Sequence, residues 1–225
     1  RRRLRAAFAG YVSPPVMQEI LQRRLPVGLG GELRHVCMLF ADIRGFTTLS
    51  EGLAPQAVIA LLNRYFEQVN QAIHGAGGTI SCFMGDGVMA IFGAPQSMEK
   101  PSVAAFAAAR VMLEALQGLN AELQAEGRAP IAIGIGLHVG EAIVGHLGSQ
   151  ARHDYSAIGD AVNVASRIEG LTKELGHPVV CSQAVVDELA ESHLFTDLGL
   201  QAIKGHSPVQ VWGWKPGPLY CGSSR

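Results

Sequence analysis

Two aspartates stand where apolar runs end. Asp42 closes HVCMLFAD, and Asp86 is the one charged residue in SCFMGDGVMAIFG. A carboxylate inside a buried strand would carry a heavy desolvation cost. At the tip of a turn between two buried strands it is available for chemistry. The runs TISCFM and GVMAIFG are joined by Gly85–Asp86, a hairpin signal that puts Asp86 at such a tip. Paired carboxylates at one end of a sheet suit magnesium, which prefers oxygen ligands and keeps several of its waters. Two such ions can clamp the attacking and leaving oxygens of a phosphoryl reaction. Either acid alone also reads as a turn aspartate bonded to its own backbone. The two together, each beside buried strand, favour the metal.

A second group lies further along. In AVNVASRIEGLTKEL, Ala161, Val164, Ala165, Ile168, Leu171 and Leu175 fall on one stripe of a helical wheel. Asn163 and Arg167, at i and i+4, stack one turn apart and point away from it. Arg167 brings a planar, permanently charged donor fork suited to phosphate. Asn163 offers a donor and an acceptor, useful for fixing a sugar. A solvated polar face is the alternative, though the sparse polar lettering around the pair weakens it. Lys204, in IKGHSPVQVWGW, is a lone cation beside a glycine and says little alone. His138 reads as a packed histidine rather than a base.

The elements that must position these groups follow from composition and periodicity. The chain has 225 residues, 48% hydrophobic and 16% charged, with a net charge of −1. That is enough for one good core and excludes a whole-chain basic field for nucleic acid. The strands also lack the exposed aromatics that stack RNA bases. Cys37, Cys82, Cys181 and Cys221 are scattered, which argues against a disulfide framework or a zinc site and for reduced thiols. No run of roughly 18 uncharged apolar residues suggests a membrane span, and no signal-peptide pattern is present. Residues 1–33, opening with RRRLR and broken at Pro14–Pro15 and Pro26, read as an approach segment. Residues 34–214 read as one domain, and 215–225 as a tail.

Within that domain HVCMLFADI predicts a buried strand. Pro55 starts a helix that runs to GAGG, followed by the hairpin around Asp86. A second helix spans about Pro101 to Glu126, with Phe106, Ala109, Leu113, Leu116, Leu119 and Leu123 inward. IAIGIGLHVG alternates large and small residues as a strand does. Two short strands are expected at residues 143–147 and 154–158. A helix then runs from about Asp160 to Leu175. A small helix near residues 183–190 and strands at 196–203 and 209–214 complete the chain. The order predicts an α+β fold with a ferredoxin-like βαββαβ core, helices on one face of an antiparallel sheet, and a C-terminal extension.

LFADIRGFTTLSE, FMGDGVMAIFG and IGDAVNVASRIE together resemble, in order and spacing, the catalytic domain of the class III nucleotidyl cyclases. The likeness covers about Arg34 to Trp214, and the opening segment looks like the linker of bacterial membrane-anchored members. The resemblance implies conversion of ATP to 3′,5′-cyclic AMP and pyrophosphate. Asp42, Asp86 and the Ile43 carbonyl would hold two Mg²⁺ or Mn²⁺ ions. Asn163 would orient the ribose, Arg167 would neutralise charge on the α-phosphate, and Lys204 would bind phosphate. In the family one chain brings the metals and its partner brings Asn and Arg, so a homodimer with shared sites is expected. It also implies a cytoplasmic domain of an inner-membrane-anchored protein, reaching the membrane only through a region upstream.

The base-reading positions depart from the family pattern. Adenylate cyclases usually carry lysine where this chain has Cys82, and guanylate cyclases carry glutamate there. The partner position, usually Asp or Thr, is Ser156. A thiol is a weak hydrogen-bonding group. The expectation is therefore ATP as substrate with weaker rejection of GTP than usual. Guanylate cyclase, or a catalytically weak nucleotide-binding regulatory domain, is the competing reading.

Overall fold

Side-chain alternation along the first strand divides the protein into two layers of core. In a computed structural model that describes residues 16–18, 30–148 and 153–217, β1 (Gly30–Ile43) sends Cys37, Leu39, Ala41 and Ile43 to one face of the sheet. Val36, Met38 and Phe40 go to the other. The first face is covered by α2 (Pro55–Gly75) and α3 (Pro101–Ala125). Helix α2 buries Leu61, Tyr65, Val69 and Ile73, an i, i+4 stripe. Full burial of such a side chain stabilises the fold by about 1.5–3 kcal/mol. Among the described residues α3 alone is long and apolar enough to cross a membrane. Here it is a core helix, with Phe106, Leu113, Leu119 and Leu123 buried on the sheet.

The short helix α1 (Phe46–Glu51) follows β1, and α2 leads into β2 (Thr79–Met84) and β3 (Gly87–Phe92). After α3 come β4 (Ile133–Gly148), β5 (His153–Ile158), α4 (Asp160–Glu174), β6 (Val179–Ser182), α5 (Gln183–Glu188), β7 (Thr196–Gln201) and β8 (Val209–Trp214). The sheet order is β2-β3-β1-β4-β6-β8-β7, with β5 paired to β4. Its first four strands pair antiparallel and form the expected βαββαβ core. The remainder is the C-terminal extension, joined through the parallel pair β4–β6.

Five features differ from expectation. The segments expected as separate strands at residues 131–139 and 143–147 are one strand, β4. Its partner β1 begins at Gly30 rather than His35, and the two pair from Gly30↔His146 to Ile43↔Ile133. The four-residue buried strand β6 was not foreseen, since VVCS carries no usable period. Nor was α1. Finally, the helices do not all lie on one face. Helix α4 packs on the opposite face, joining Ala165 to Val36, Met38 and Phe40.

That packing explains the small residues of β4. A Cβ on Gly136 would lie 2.3 Å from the Glu169 backbone nitrogen, and one on Gly140 would lie 3.3 Å from the Ala161 Cβ. The small face of IAIGIGLHVG therefore receives α4 of the same chain. Val16, in the described turn at 16–18, is buried on this face too. Residues 1–15 and 19–29 of the approach segment, the end of the tail and Cys221 lie outside the described residues, while residues 30–33 belong to β1. Cys37, Cys82 and Cys181 are free thiols.

Candidate active site

The β2–β3 hairpin closes with Met84 opposite Gly87, leaving Gly85–Asp86 as a two-residue turn. Gly85 sits at φ 60, a conformation that costs glycine little. Strand β3 pairs with β1 through Ala41↔Val88, so the turn lies beside the end of β1. There the Ile43 N–H donates to Asp86 Oδ2 at 2.9 Å. One oxygen of Asp86 is thus fixed by backbone. Asp42 and Asp86 share a cavity of about 200 Å³ with Phe40, Met84, Ser166 and Glu169. The two aspartates predicted as a pair are therefore together, and Ile43 is joined to them.

Glu169 is the residue that sequence reasoning missed. It comes from α4 and reaches the acid cavity from the opposite side. Burial first, then the charge and hydrogen bond of Asp42, push its carboxyl up to about 8, against the pull of Arg44. Arg44 Nη1 lies 3.7 Å from Glu169 Oε1, and its other terminal nitrogen bonds Thr172. Glu169 Oε1 is buried without a hydrogen-bond partner. The signal was present in the sequence, since Glu169 sits in the same motif as Asn163 and Arg167. Its direction required knowing which face α4 covers.

The donor set suits a hard cation. It consists of carboxylates, it opens to a cavity, and an acidic oxygen nearby is unsatisfied. Among the described residues no three His, Cys, Asp or Glu side chains form a ready cage. Two carboxylates fit an ion that retains water and takes further oxygens from a bound substrate.

Asn163 and Arg167 are exposed and one turn apart. Arg167 lies about 160° around the helix from Glu169. Its Nη1 is 3.6 Å from where a Cβ on Gly205 would sit, so the guanidinium lies against the turn that carries the exposed Lys204. His206 Nε2, in the same turn, pairs with Asp160 Oδ2 at 3.0 Å and pins the turn to the start of α4. Asn163, Arg167 and Lys204 thus belong to one surface. None of them lines the acid cavity.

Cys82 and Ser156 lie on neighbouring strands at a third place, linked through Ser81. The Ser81 hydroxyl, next to Cys82, lies 2.9 Å from Ser156 Oγ and 3.1 Å from the Tyr155 carbonyl oxygen. Burial, and then the charge of Asp154, push the Cys82 thiol up. His138 is bonded to Ser182 Oγ at 2.7 Å. Burial lowers it to about 4, with Asp160 opposing, so it stays neutral at pH 7 in a structural role.

Comparison with known proteins shows the family. The adenylate and guanylate cyclase catalytic domain matches residues 31–215. Adenylate cyclase 1 of Rhizobium meliloti is 36% identical over 200 residues, covering 89% of this chain and 30% of that protein. The chain spans about a third of the length of the curated relatives it matches. The crystal structure of the adenylyl cyclase CyaB from P. aeruginosa superposes with a TM-score of 0.77 at 32% identity, covering 86% of this chain and 100% of that one. The guanylyl cyclase Cya2 superposes at 0.74 with 34% identity, covering 84% and 97%. The chain belongs to the adenylate and guanylate cyclase catalytic domain family.

Proposed function

We propose that this domain is an adenylate cyclase that works as a homodimer with two shared sites. The observation that carries the reading is the division within one chain. Asp42 and Asp86 line one cavity, while Asn163, Arg167 and Lys204 occupy another surface of α4 and its neighbouring turn. A two-fold dimer supplies each half-set with its complement and repeats the site twice.

In the reaction the ribose 3′-hydroxyl attacks the α-phosphate of ATP. A new P–O bond closes the ring, the bond to pyrophosphate breaks, and the hydroxyl proton is lost to solvent. Asp42, Asp86 and the Ile43 carbonyl would hold two Mg²⁺ or Mn²⁺ ions, which when bound offset phosphate charge and favour an alkoxide. The Ile43 N–H bond to Asp86 fixes the carboxylate that does this. Arg167 presents its planar fork to the α-phosphate, where charge grows in the transition state. Asn163 holds the ribose in line. Lys204, in a turn pinned through His206 to Asp160, binds phosphate oxygens. Ser156 and Cys82 border the base.

A second reading concerns the nucleotide. Relatives of both specificities are similarly close, and Cys82 is neither of the residues usual at its position. This favours ATP with reduced rejection of GTP. A cytoplasmic location, tethered through an upstream region, is proposed on the arginine-rich opening.

The test is product formation from ATP and GTP in parallel, with Mn²⁺, across a protein concentration series. Cyclic AMP with a specific activity that rises with concentration supports a dimeric adenylate cyclase. Dominant cyclic GMP keeps the mechanism and overturns the substrate. Nucleotide binding without product points to a regulatory domain.

A further inference from the structure

We propose that Ser81 sets the purine preference of the site by fixing the direction of the Ser156 hydroxyl. The proposal rests on the base-bordering role given above to Cys82 and Ser156.

Strand pairing places Ser81 there. The β2–β3 register passes from Ile80↔Ala90 to Cys82↔Met89, so Ser81 is an extra residue in the strand. In a regular strand Ser81 and Cys82 would face opposite sides of the sheet. A bulge sets two residues against one and re-aims their side chains. Here both reach β5. Cys82 packs against the cluster containing Tyr155 and Ala157, and the Ser81 hydroxyl reaches Tyr155 O and Ser156 Oγ.

Hydrogen-bond counting then sets the direction. Ser81 has one hydroxyl proton and three polar neighbours, the Tyr155 carbonyl, Ser156 Oγ and the weakly bonding Cys82 thiol. The Tyr155 carbonyl can only accept, so donating to it uses the Ser81 proton. The contact between the two serines is then made by the Ser156 proton, directed at Ser81 Oγ. Ser156 is left with lone pairs facing outward. Adenine presents an amino donor where guanine presents a carbonyl acceptor. An outward acceptor on Ser156 matches adenine and faces the guanine oxygen with lone pair against lone pair. The Cys82 thiol, a weak hydrogen-bonding group, adds little to this choice. Without the Ser81 hydroxyl, the Ser156 hydroxyl is free to turn, donating to the guanine oxygen or accepting from the adenine amino group.

The experiment measures kcat/KM for ATP and GTP with Mn²⁺ in the parent protein, Ser81→Ala, Ser81→Thr and Ser156→Ala. Dissociation constants of both nucleotides are measured by competition in parallel, so a variant with poor turnover still reports its preference. Ser81→Ala is expected to lower the ATP-to-GTP ratio about fivefold, chiefly through better use of GTP. Ser81→Thr, which keeps the hydroxyl, should hold the parent ratio. An unchanged ratio in Ser81→Ala alongside a lowered one in Ser156→Ala overturns the role of Ser81 and leaves the site reading intact. Unchanged ratios in both variants overturn the base-bordering assignment and the proposal with it.

Discussion

Two inactive variants should restore each other when mixed. Asp42→Ala removes a carboxylate from the acid cavity, and Arg167→Ala removes the fork from the outer surface of α4. Glu169, on the same helix as Arg167, already faces the acid cavity of its own chain. Arg167 therefore points about 160° away from it, and in the proposed homodimer it serves a site completed by the second chain. Each pure variant is then a dimer with two broken sites. On equal mixing with random exchange, about half of the dimers are mixed. In a mixed dimer one site carries both lesions, and the other combines the intact acids of one chain with the intact arginine of its partner. One working site in about half of the dimers gives about a quarter of parent activity at equal total protein. The assay is cyclic AMP formation after co-refolding or co-expression with two different affinity tags, with the mixed species isolated and quantified. Isolated mixed dimers should reach about half of the parent rate. Mixed dimers as inactive as the pure variants would refute the shared-site geometry. Substantial activity in either pure variant would refute the role given to that residue.

Gly136→Ala should destabilise the fold, since its Cβ would lie 2.3 Å from the Glu169 backbone nitrogen and helix α4 would have to lift from β4. A loss of about 2 kcal/mol, or roughly 4–8 °C in Tm, is expected, and a Tm equal to that of the parent would contradict the close packing. His138 should make stability fall in mild acid. Its usual value of 6.5 is lowered to about 4 in the folded protein, so its contribution is whole above pH 6.5 and lost as pH falls toward 4. Denaturant titrations should show about 2 kcal/mol lost through this group between pH 7 and pH 5. An identical loss in His138→Gln would show that another group is responsible. Asp86→Asn keeps an acceptor for the Ile43 N–H but removes the charge. Mn²⁺ affinity, read by electron paramagnetic resonance, should weaken at least about tenfold with little change in Tm, and unchanged affinity would remove Asp86 from the metal ligands.

The placement of individual residues was legible in the sequence because it rests on local pattern. Gly85–Asp86 between two apolar runs specifies a turn whatever surrounds it, and the acid appears at the tip. The i, i+4 spacing of Asn163 and Arg167 sets both on one side of a helix before anything is known of its neighbours. The helices at Pro55–Gly75, Pro101–Ala125 and Asp160–Glu174 were equally readable, because prolines and glycines mark their ends and apolar stripes run their length.

What joins these pieces is non-local, and only the tertiary structure decided it. The small face of β4 was visible as a pattern, but a row of glycines does not name its occupant. Packing assigned it to α4 of the same chain, and that turned Glu169 onto the aspartates and Arg167 away from them. The unbroken length of β4 depends on β1 beginning at Gly30, more than a hundred residues earlier in the chain. The bulge at Ser81 exists only in the register between β2 and β3, and its contact with Ser156 only because β5 crosses nearby. Periodicity reports which side of an element is apolar. Which element covers that side, and how closely, is settled by the fit of surfaces distant in sequence, and catalysis depends on that fit.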